Sequence, residues 1–316
     1  MIIEWALGVL ASKGCTVVGE PQIVVKTPWS LVVLFSTTSG NFYLKQTPPD
    51  LFIEPEIIKA IRNNMPQLTP TILAKNDAHH CFLMTSCGDY SLRTKFNGTI
   101  DPKLHVKGLK SYLAILRSFE SNPDILKTMG VPDWRLNRIP QLYVELLEKK
   151  EMLLNEGLTY DELDSLLKLV PKIKSTCEFL SEKKIKETLV NGDFNENNII
   201  LNEKTQQIAF IDWGESVIAH PFFTIAAHLR SVARRYKLPL EGEFLENIKQ
   251  NCLTCWLEVM PLDELQTMYQ QIERLQPIFS ALAIYRLQNA TQNKSKEMQN
   301  WFIAGVLRIL LNETSW

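Results

Sequence analysis

The sequence predicts an α+β chain of two lobes, a small β-rich N-terminal lobe and a large, mostly helical C-terminal one. Three observations carry that prediction. Short β-branched runs separated by turn residues fill the first eighty-odd positions. From about Gly88 onward, apolar residues recur at helical spacing in long segments. One Asn-rich loop, Asn191 to Asn198, interrupts those helices and leads into a hairpin pattern. With 316 residues the chain can build a core in each lobe, and the expected division is 1–86 and 87–316.

The elements follow in order. Met1–Leu10 reads as an amphipathic helix: it carries Glu4 and has neither a basic n-region nor a small-residue cleavage site, so it does not read as a signal peptide. Gln22–Val25, Leu31–Phe35 and Phe42–Lys45 read as strands, with the turn Thr37-Thr38-Ser39-Gly40-Asn41 joining the last two. Glu54–Asn63 has Ile57, Ile58 and Ile61 at helical spacing and tolerates Pro55 in its first turn. Thr71–Ala74 and Cys81–Met84 read as two further strands, which gives the order βββαββ. Thr85-Ser86-Cys87-Gly88-Asp89 has the small, polar character of a hinge. Helices are then expected over Leu104–Phe119, Pro140–Glu156, Tyr160–Leu180, Phe223–Tyr236, Glu241–Val259, Leu262–Gln288 and Lys296–Asn312. The hairpin is the only β signal in this half.

Composition narrows the function classes. Lys and Arg number 34 against 35 Asp and Glu, so charge points to neither nucleic acid nor an anionic membrane as main partner. No apolar run approaches the roughly 20 residues that span a bilayer. Cys15, Cys81, Cys87, Cys177, Cys252 and Cys255 are scattered, as expected in a reducing cytoplasm. Cys252-x-x-Cys255 lies in a helical pattern with no second pair nearby and reads as a packed face. The five histidines show no metal spacing.

The chemistry concentrates in one stretch. Asp193 and Asn198, five residues apart, fit the catalytic loop of a kinase, where the Asp accepts a proton from an attacking hydroxyl and the Asn oxygen reaches a magnesium ion. Ile199–Leu201 and Gln206–Ile211 flank the turn Asn202-Glu203-Lys204-Thr205, and this hairpin would bring Asn198 and Asp212 to one end of a small sheet. Asp193-x-Asn195-x-Asn197 also opens like a calcium loop. That pattern then fails, because Asn198 and Lys204 occupy the positions that need Gly and a bidentate Glu. A plain Asn-rich surface loop is the remaining alternative on this segment alone.

With these elements in place, the chain resembles the aminoglycoside phosphotransferase and choline kinase family, the small-molecule branch of the protein-kinase-like fold. The pattern there is His-Gly-Asp, four residues, Asn, then a hydrophobic-Asp-aromatic motif, and Asn191 to Trp213 keeps every spacing. The resemblance implies ATP and Mg2+ as cofactors and a small hydroxyl-bearing molecule as acceptor. It implies Asp193 as the catalytic aspartate, Asn198 and Asp212 as magnesium ligands, and Lys45 as the lysine on the nucleotide's α- and β-phosphates. Glu54 or Glu56 would hold Lys45. Glu54 is favoured because Ile57 and Ile61 follow it at the family's spacing. No G-x-G-x-x-G lies between the first two strands, so Thr27 and Ser30, in the turn Lys26-Thr27-Pro28-Trp29-Ser30, are the phosphate-loop candidates, or plain turn residues. Thr85, Ser86 and Cys87 match the hinge that lines the nucleotide cleft.

Two departures touch the loop's bracing. Asn191 stands where the family has His, and Thr224 where it usually has Asp. An Asn amide can still bond backbone, and a Thr can still cap the helix that follows. These changes motivate an alternative, a nucleotide-binding pseudokinase or regulatory module. For the acceptor, Glu215 is the candidate contact. The acidic stretch Glu241–Ser280 suits a cationic acceptor such as an aminoglycoside or choline, or is a solvated helix face. Tyr285 and Arg286 either line the pocket or pack.

Overall fold

A computed structural model of the chain describes residues 1–291 and 302–312. They form two compact units: Met1–Ile100 with Asn195–Glu215 and 289–291, and Asp101–Phe194 with Ser216–Gln288 and 302–312. No helix among the described residues is long and apolar enough to cross a membrane.

The first unit begins with α1 (Ile2–Ser12), then β1 (Gln22–Lys26), β2 (Leu31–Thr37), β3 (Gly40–Gln46), α2 (Glu54–Asn64), β4 (Ile72–Asn76) and β5 (Cys81–Thr85). The strands make one antiparallel sheet in the order β1-β2-β3-β5-β4. Ala6 and Leu10 of α1 pack on one face of it, against Val33, Phe35, Phe42, Leu44, Cys81 and Leu83. Alternation then decides where the functional side chains go. Because Phe42 and Leu44 face α1, Tyr43 and Lys45 point to the other face. Helical spacing acts the same way in α2, which buries Glu54, Ile57, Ile58 and Ile61 together. Glu56 lies off that stripe and pairs with Lys75 (2.9 Å) and Lys59 (3.3 Å) instead.

Beyond β5 the chain runs through Gly88 into β6 (Tyr90–Ser91) and α3 (Leu92–Phe96). A Cβ on Gly88 would stand 2.8 Å from the carbonyl carbon and oxygen of Leu201, so this close backbone approach needs glycine.

In the second unit, α4 (Pro102–Ser118) is capped by Asp101, whose carboxylate accepts the N–H groups of Lys103 and Leu104. After α5 (Asp124–Thr128), several expected long helices are broken. Pro140–Glu156 is α6 (Ile139–Leu147) and α7 (Lys150–Asn155), and Tyr160–Leu180 is α8 (Tyr160–Leu167) and α9 (Val170–Ser181). The second break has a visible cause, since Pro171 opens the first turn of α9 and cannot continue a helix from the N-terminal side. Then comes β7 (Thr188–Asn191), and in the first unit the hairpin of β8 (Ile199–Leu201) and β9 (Ile208–Phe210), with β6 paired on β8.

The expectation that this hairpin is the only sheet in the C-terminal half is corrected by β7 and β10 (Ser216–Ala219), which pair antiparallel in the second unit. Every residue of both strands is buried, so neither shows the alternation that marks a half-exposed strand. α10 (Phe222–Tyr236) and α11 (Glu243–Leu253) follow, the latter ending in a 3-10 turn, Thr254–Trp256. α12 (Leu262–Ala290) continues through Pro277, and α13 (Ile303–Asn312) closes the described chain. Positions 296–301 of the expected last helix lie outside the described residues.

Candidate functional site

Within the first unit, three of the sequence-selected residues meet. Lys45 Nζ donates to Glu54 Oε2 at 2.5 Å and to Asp212 Oδ1 at 2.6 Å. The other Glu54 oxygen accepts the backbone N–H of Asp212 at 2.9 Å. Glu54 is fully buried and Lys45 is 5% exposed, whereas the Asp212 side chain keeps 43% of its surface. Burial opposes the charge on Lys45, but the carboxylates of Asp212 and Glu54 outweigh it and raise its pKa, so the ammonium stays charged. Burial raises the Glu54 carboxyl despite the neighbouring ammonium. The result is a fixed cation on the sheet face away from α1, with one carboxylate enclosed behind it and one open to solvent.

The β8–β9 hairpin places the two proposed metal ligands. Ile199 pairs with Phe210, and the N–H of Ile211 donates to the Asn198 carbonyl at 3.1 Å, so Asn198 sits beside the end of β9, two residues before Asp212. Asp212 adopts a left-handed backbone conformation, with φ of 65°. A carboxamide and a carboxylate are hard oxygen donors, and that donor chemistry fits Mg2+ or Mn2+ and does not favour zinc. Asn195 accepts from Arg93 Nη2 (2.6 Å) and from the N–H of Asn197 (3.0 Å), which ties the loop's second half to α3. Arg93 was not singled out from sequence, since a lone Arg in a short helix carries no local signal.

Asp193 and its predecessors belong to the second unit. The Asp193 side is exposed, and its backbone N–H donates to Asn191 Oδ1 at 3.0 Å. Asn191 is itself buried, and its own N–H donates to the Tyr112 hydroxyl at 3.1 Å. The capping expected of Thr224 is corrected: Thr224 lies inside α10, whose N-cap is Pro221 without a side-chain cap, and its buried hydroxyl sits beside Tyr112. Two histidines also meet despite their sequence separation, His105 and His228, with Nε2 atoms 2.7 Å apart and both rings buried.

The remaining candidates are placed as follows. The Thr27 N–H (2.8 Å) and hydroxyl (3.2 Å) both donate to the Ser30 carbonyl, closing the β1–β2 turn on itself, and Ser30 is buried. Thr85 Oγ1 accepts the Thr71 N–H at 3.0 Å, and Ser86 Oγ donates to the Gly88 carbonyl at 2.9 Å, so both hinge hydroxyls are engaged within the unit. Burial pushes the Cys87 thiol up to about 12, which keeps it protonated. Glu215 is half-buried at the end of the Asn195–Glu215 segment. Arg286 donates to the Ser216 carbonyl at 3.0 Å. In the acidic stretch, Glu246 pairs with Lys249 (2.5 Å) and Glu258 with Arg117, so part of its charge is neutralised locally.

Residues 29–262 match the family model described as "Phosphotransferase enzyme family". No curated protein matches the chain. Among solved structures, an ethanolamine kinase from Plasmodium vivax aligns with a TM-score of 0.66 at 16% identity, covering 92% of this chain and 82% of its own. A choline kinase from Streptococcus pneumoniae aligns at 0.59 and 13% identity, covering 99% and 98%. An aminoglycoside phosphotransferase solved as a ternary complex with streptomycin and ATP aligns at 0.58 and 12% identity, covering 96% and 95%. These likenesses establish a shared kinase-like fold, and the family match over most of the length establishes that this chain belongs to the phosphotransferase enzyme family.

Proposed function

We propose that the chain is an ATP- and Mg2+-dependent small-molecule kinase that transfers the γ-phosphate to a hydroxyl. The observation that carries this reading is the enclosed Lys45–Glu54 pair joined to Asp212, a fixed cation beside a solvent-open carboxylate in a phosphotransferase-family chain. Residues 1–86 would serve nucleotide binding, with Lys45 on the phosphates and the 85–87 backbone and the Thr27–Ser30 turn at the cleft. Residues 87–316 would carry catalysis and the acceptor, with Glu215 as an acceptor contact.

Asp193 would accept a hydrogen bond from the acceptor hydroxyl and align its oxygen with the γ-phosphorus. The new O–P bond forms as the β–γ bridging P–O bond breaks, the leaving diphosphate keeps that electron pair, and the hydroxyl proton passes to Asp193. Lys45 would offset charge on the departing phosphates. Asn198 and Asp212 would hold Mg2+, which supplies charge neutralisation on the phosphate oxygens. Aminoglycoside-like and choline-like alcohols are the acceptor classes to screen first, given the streptomycin complex and the choline kinase among the similar folds. The scattered free cysteines suit a reducing cytoplasm.

The test is nucleotide-dependent stabilisation together with turnover. ATP with Mg2+ at a hundredfold its Kd should add about 2.7 kcal/mol of stability. Slow ATP hydrolysis without acceptor, and transfer within a panel of amino-alcohols and aminoglycosides, should follow. Stabilisation without hydrolysis or transfer would identify a nucleotide-binding module instead. No thermal shift with either ATP or GTP at millimolar concentration would remove the kinase reading.

A further inference from the structure

The loop that carries Asp193 is held from below by a column of buried aromatic rings. Tyr112, on α4, is fully buried, and its hydroxyl accepts the Asn191 N–H at 3.1 Å. Its ring stacks on Phe194 with centroids 3.7 Å apart and planes 18° from parallel. Phe194 in turn packs on His228 at 5.1 Å, and His228 Nε2 meets His105 Nε2 at 2.7 Å. One side chain, Tyr112, therefore grips the chain on both sides of Asp193: by a hydrogen bond two residues before it and by a ring contact one residue after it. Asn191 extends the grip by accepting the Asp193 N–H through Oδ1 at 3.0 Å.

This arrangement fixes backbone without using charge. Tyr112, Asn191, Phe194 and Thr224 are uncharged at neutral pH, and burial holds His228 well below its usual range, at about 4. Deleting the hydroxyl removes the acceptor of the buried Asn191 N–H, so its loss should loosen the strand end before it unfolds the unit.

We propose that Tyr112 is the positioning residue of the catalytic loop, its hydroxyl holding the Asn191 backbone and its ring holding Phe194 so that Asp193 is presented in one orientation. This rests on the reading of Asp193 as the catalytic aspartate. Tyr112 touches no reacting atom, so its effect belongs in turnover and not in nucleotide affinity.

The test compares Tyr112→Phe, which keeps the ring and deletes the hydroxyl, with Tyr143→Phe. The second variant removes an equally buried hydroxyl that donates to the Leu166 carbonyl, away from the loop. Amide hydrogen exchange over residues 189–196 is measured first, then acceptor-free ATP hydrolysis with Mg2+, with Asp193→Asn as reference. Faster exchange over this segment in Tyr112→Phe alone, with kcat reduced about tenfold and the KM for ATP unchanged, is expected. Exchange equal to wild type overturns the proposal whatever the activity does. Faster exchange with wild-type kcat, while Asp193→Asn loses turnover, also overturns it, since the hydroxyl would then be structural only. If Asp193→Asn itself keeps wild-type turnover, the catalytic reading of Asp193 fails and takes the positioning role with it, while faster exchange would still show a Tyr112-braced loop. A Tyr112→Phe protein that fails to fold is replaced by Phe194→Leu, which keeps the hydroxyl and removes the stack, read by the same exchange measurement.

Discussion

Replacing Lys45 by Met keeps the stem of the side chain and deletes the charge that faces Glu54. Glu54 is fully buried, with one oxygen on Lys45 and the other on the Asp212 N–H. Without the ammonium its carboxylate either stays ionised in a dry site, at a cost of about 3–5 kcal/mol, or takes up a proton. Protonation sets a ceiling. Holding a carboxyl of unfolded pKa near 4.3 neutral at pH 7 costs about 1.36 kcal/mol for each of roughly 2.7 pH units, or about 3.7 kcal/mol. The expected loss at pH 7 is therefore about 3–4 kcal/mol. Its pH dependence has a definite sign. A carboxyl whose folded pKa is raised binds more protons folded than unfolded, so the variant loses stability as pH rises from about 4.3 towards the folded pKa. Adding Glu54→Gln should remove that slope and restore about 2 kcal/mol. Denaturant unfolding of wild type, both single variants and the double variant between pH 5 and 8 measures all of this. Two outcomes refute the reasoning: losses that add within about 0.5 kcal/mol, or a Lys45→Met penalty that does not change with pH.

Three further outcomes follow from the geometry. Asp212→Ala should abolish Mg2+-dependent nucleotide binding while leaving the unfolding transition cooperative, and unchanged Mg2+ dependence in calorimetry would exclude it as a ligand. Gly88→Ala drives a methyl to within 2.8 Å of the Leu201 backbone, so it should cost about 1–3 kcal/mol, whereas Gly8→Ala, with open space around it, should not destabilise. Arg308 holds Glu162 through Nε (2.7 Å) and Nη2 (3.0 Å), and with the Thr159 cap lowers its carboxyl to about 2. A depressed folded pKa gives stability that is present above the unfolded value and lost as pH falls from about 4.5 to about 2. Glu162→Gln should flatten that part of a pH–Tm profile.

Much of this was readable from the chain because the deciding signals are local. Alternation in Phe42-Tyr43-Leu44-Lys45 sets the face on which Lys45 emerges. The stripe Glu54, Ile57, Ile58, Ile61 separates Glu54 from Glu56 before any contact is known. The hairpin between Asn198 and Asp212 needs only a turn signal and two apolar runs. What was missed depends on contacts across long stretches of sequence. β7 (Thr188–Asn191) and β10 (Ser216–Ala219) are four-residue runs without alternation until each pairs with the other. Tyr112 reads as one more residue of an amphipathic helix, and nothing near it in the sequence points to Asn191, 79 residues away. The break at Pro171 was legible as a first-turn proline, while the one near Glu148 has no glycine or proline to announce it.

The left-handed backbone at Asp212 has a consequence for how this position should vary. At φ of 65°, a side chain costs about 1 kcal/mol relative to glycine, and Asp and Asn bear that cost better than branched residues. The position therefore opposes folding and the proposed chemistry to one another: glycine would relax the backbone, while a carboxylate gives Lys45 its ion pair and, on the kinase reading, would also hold the metal. In a saturation library, ranking substitutions here by stability and ranking them by turnover should give different winners. Under drift without selection for transfer, this residue should be among the first in the segment to decay, towards Gly or Asn, and a retained Asp would then be a record of continued use.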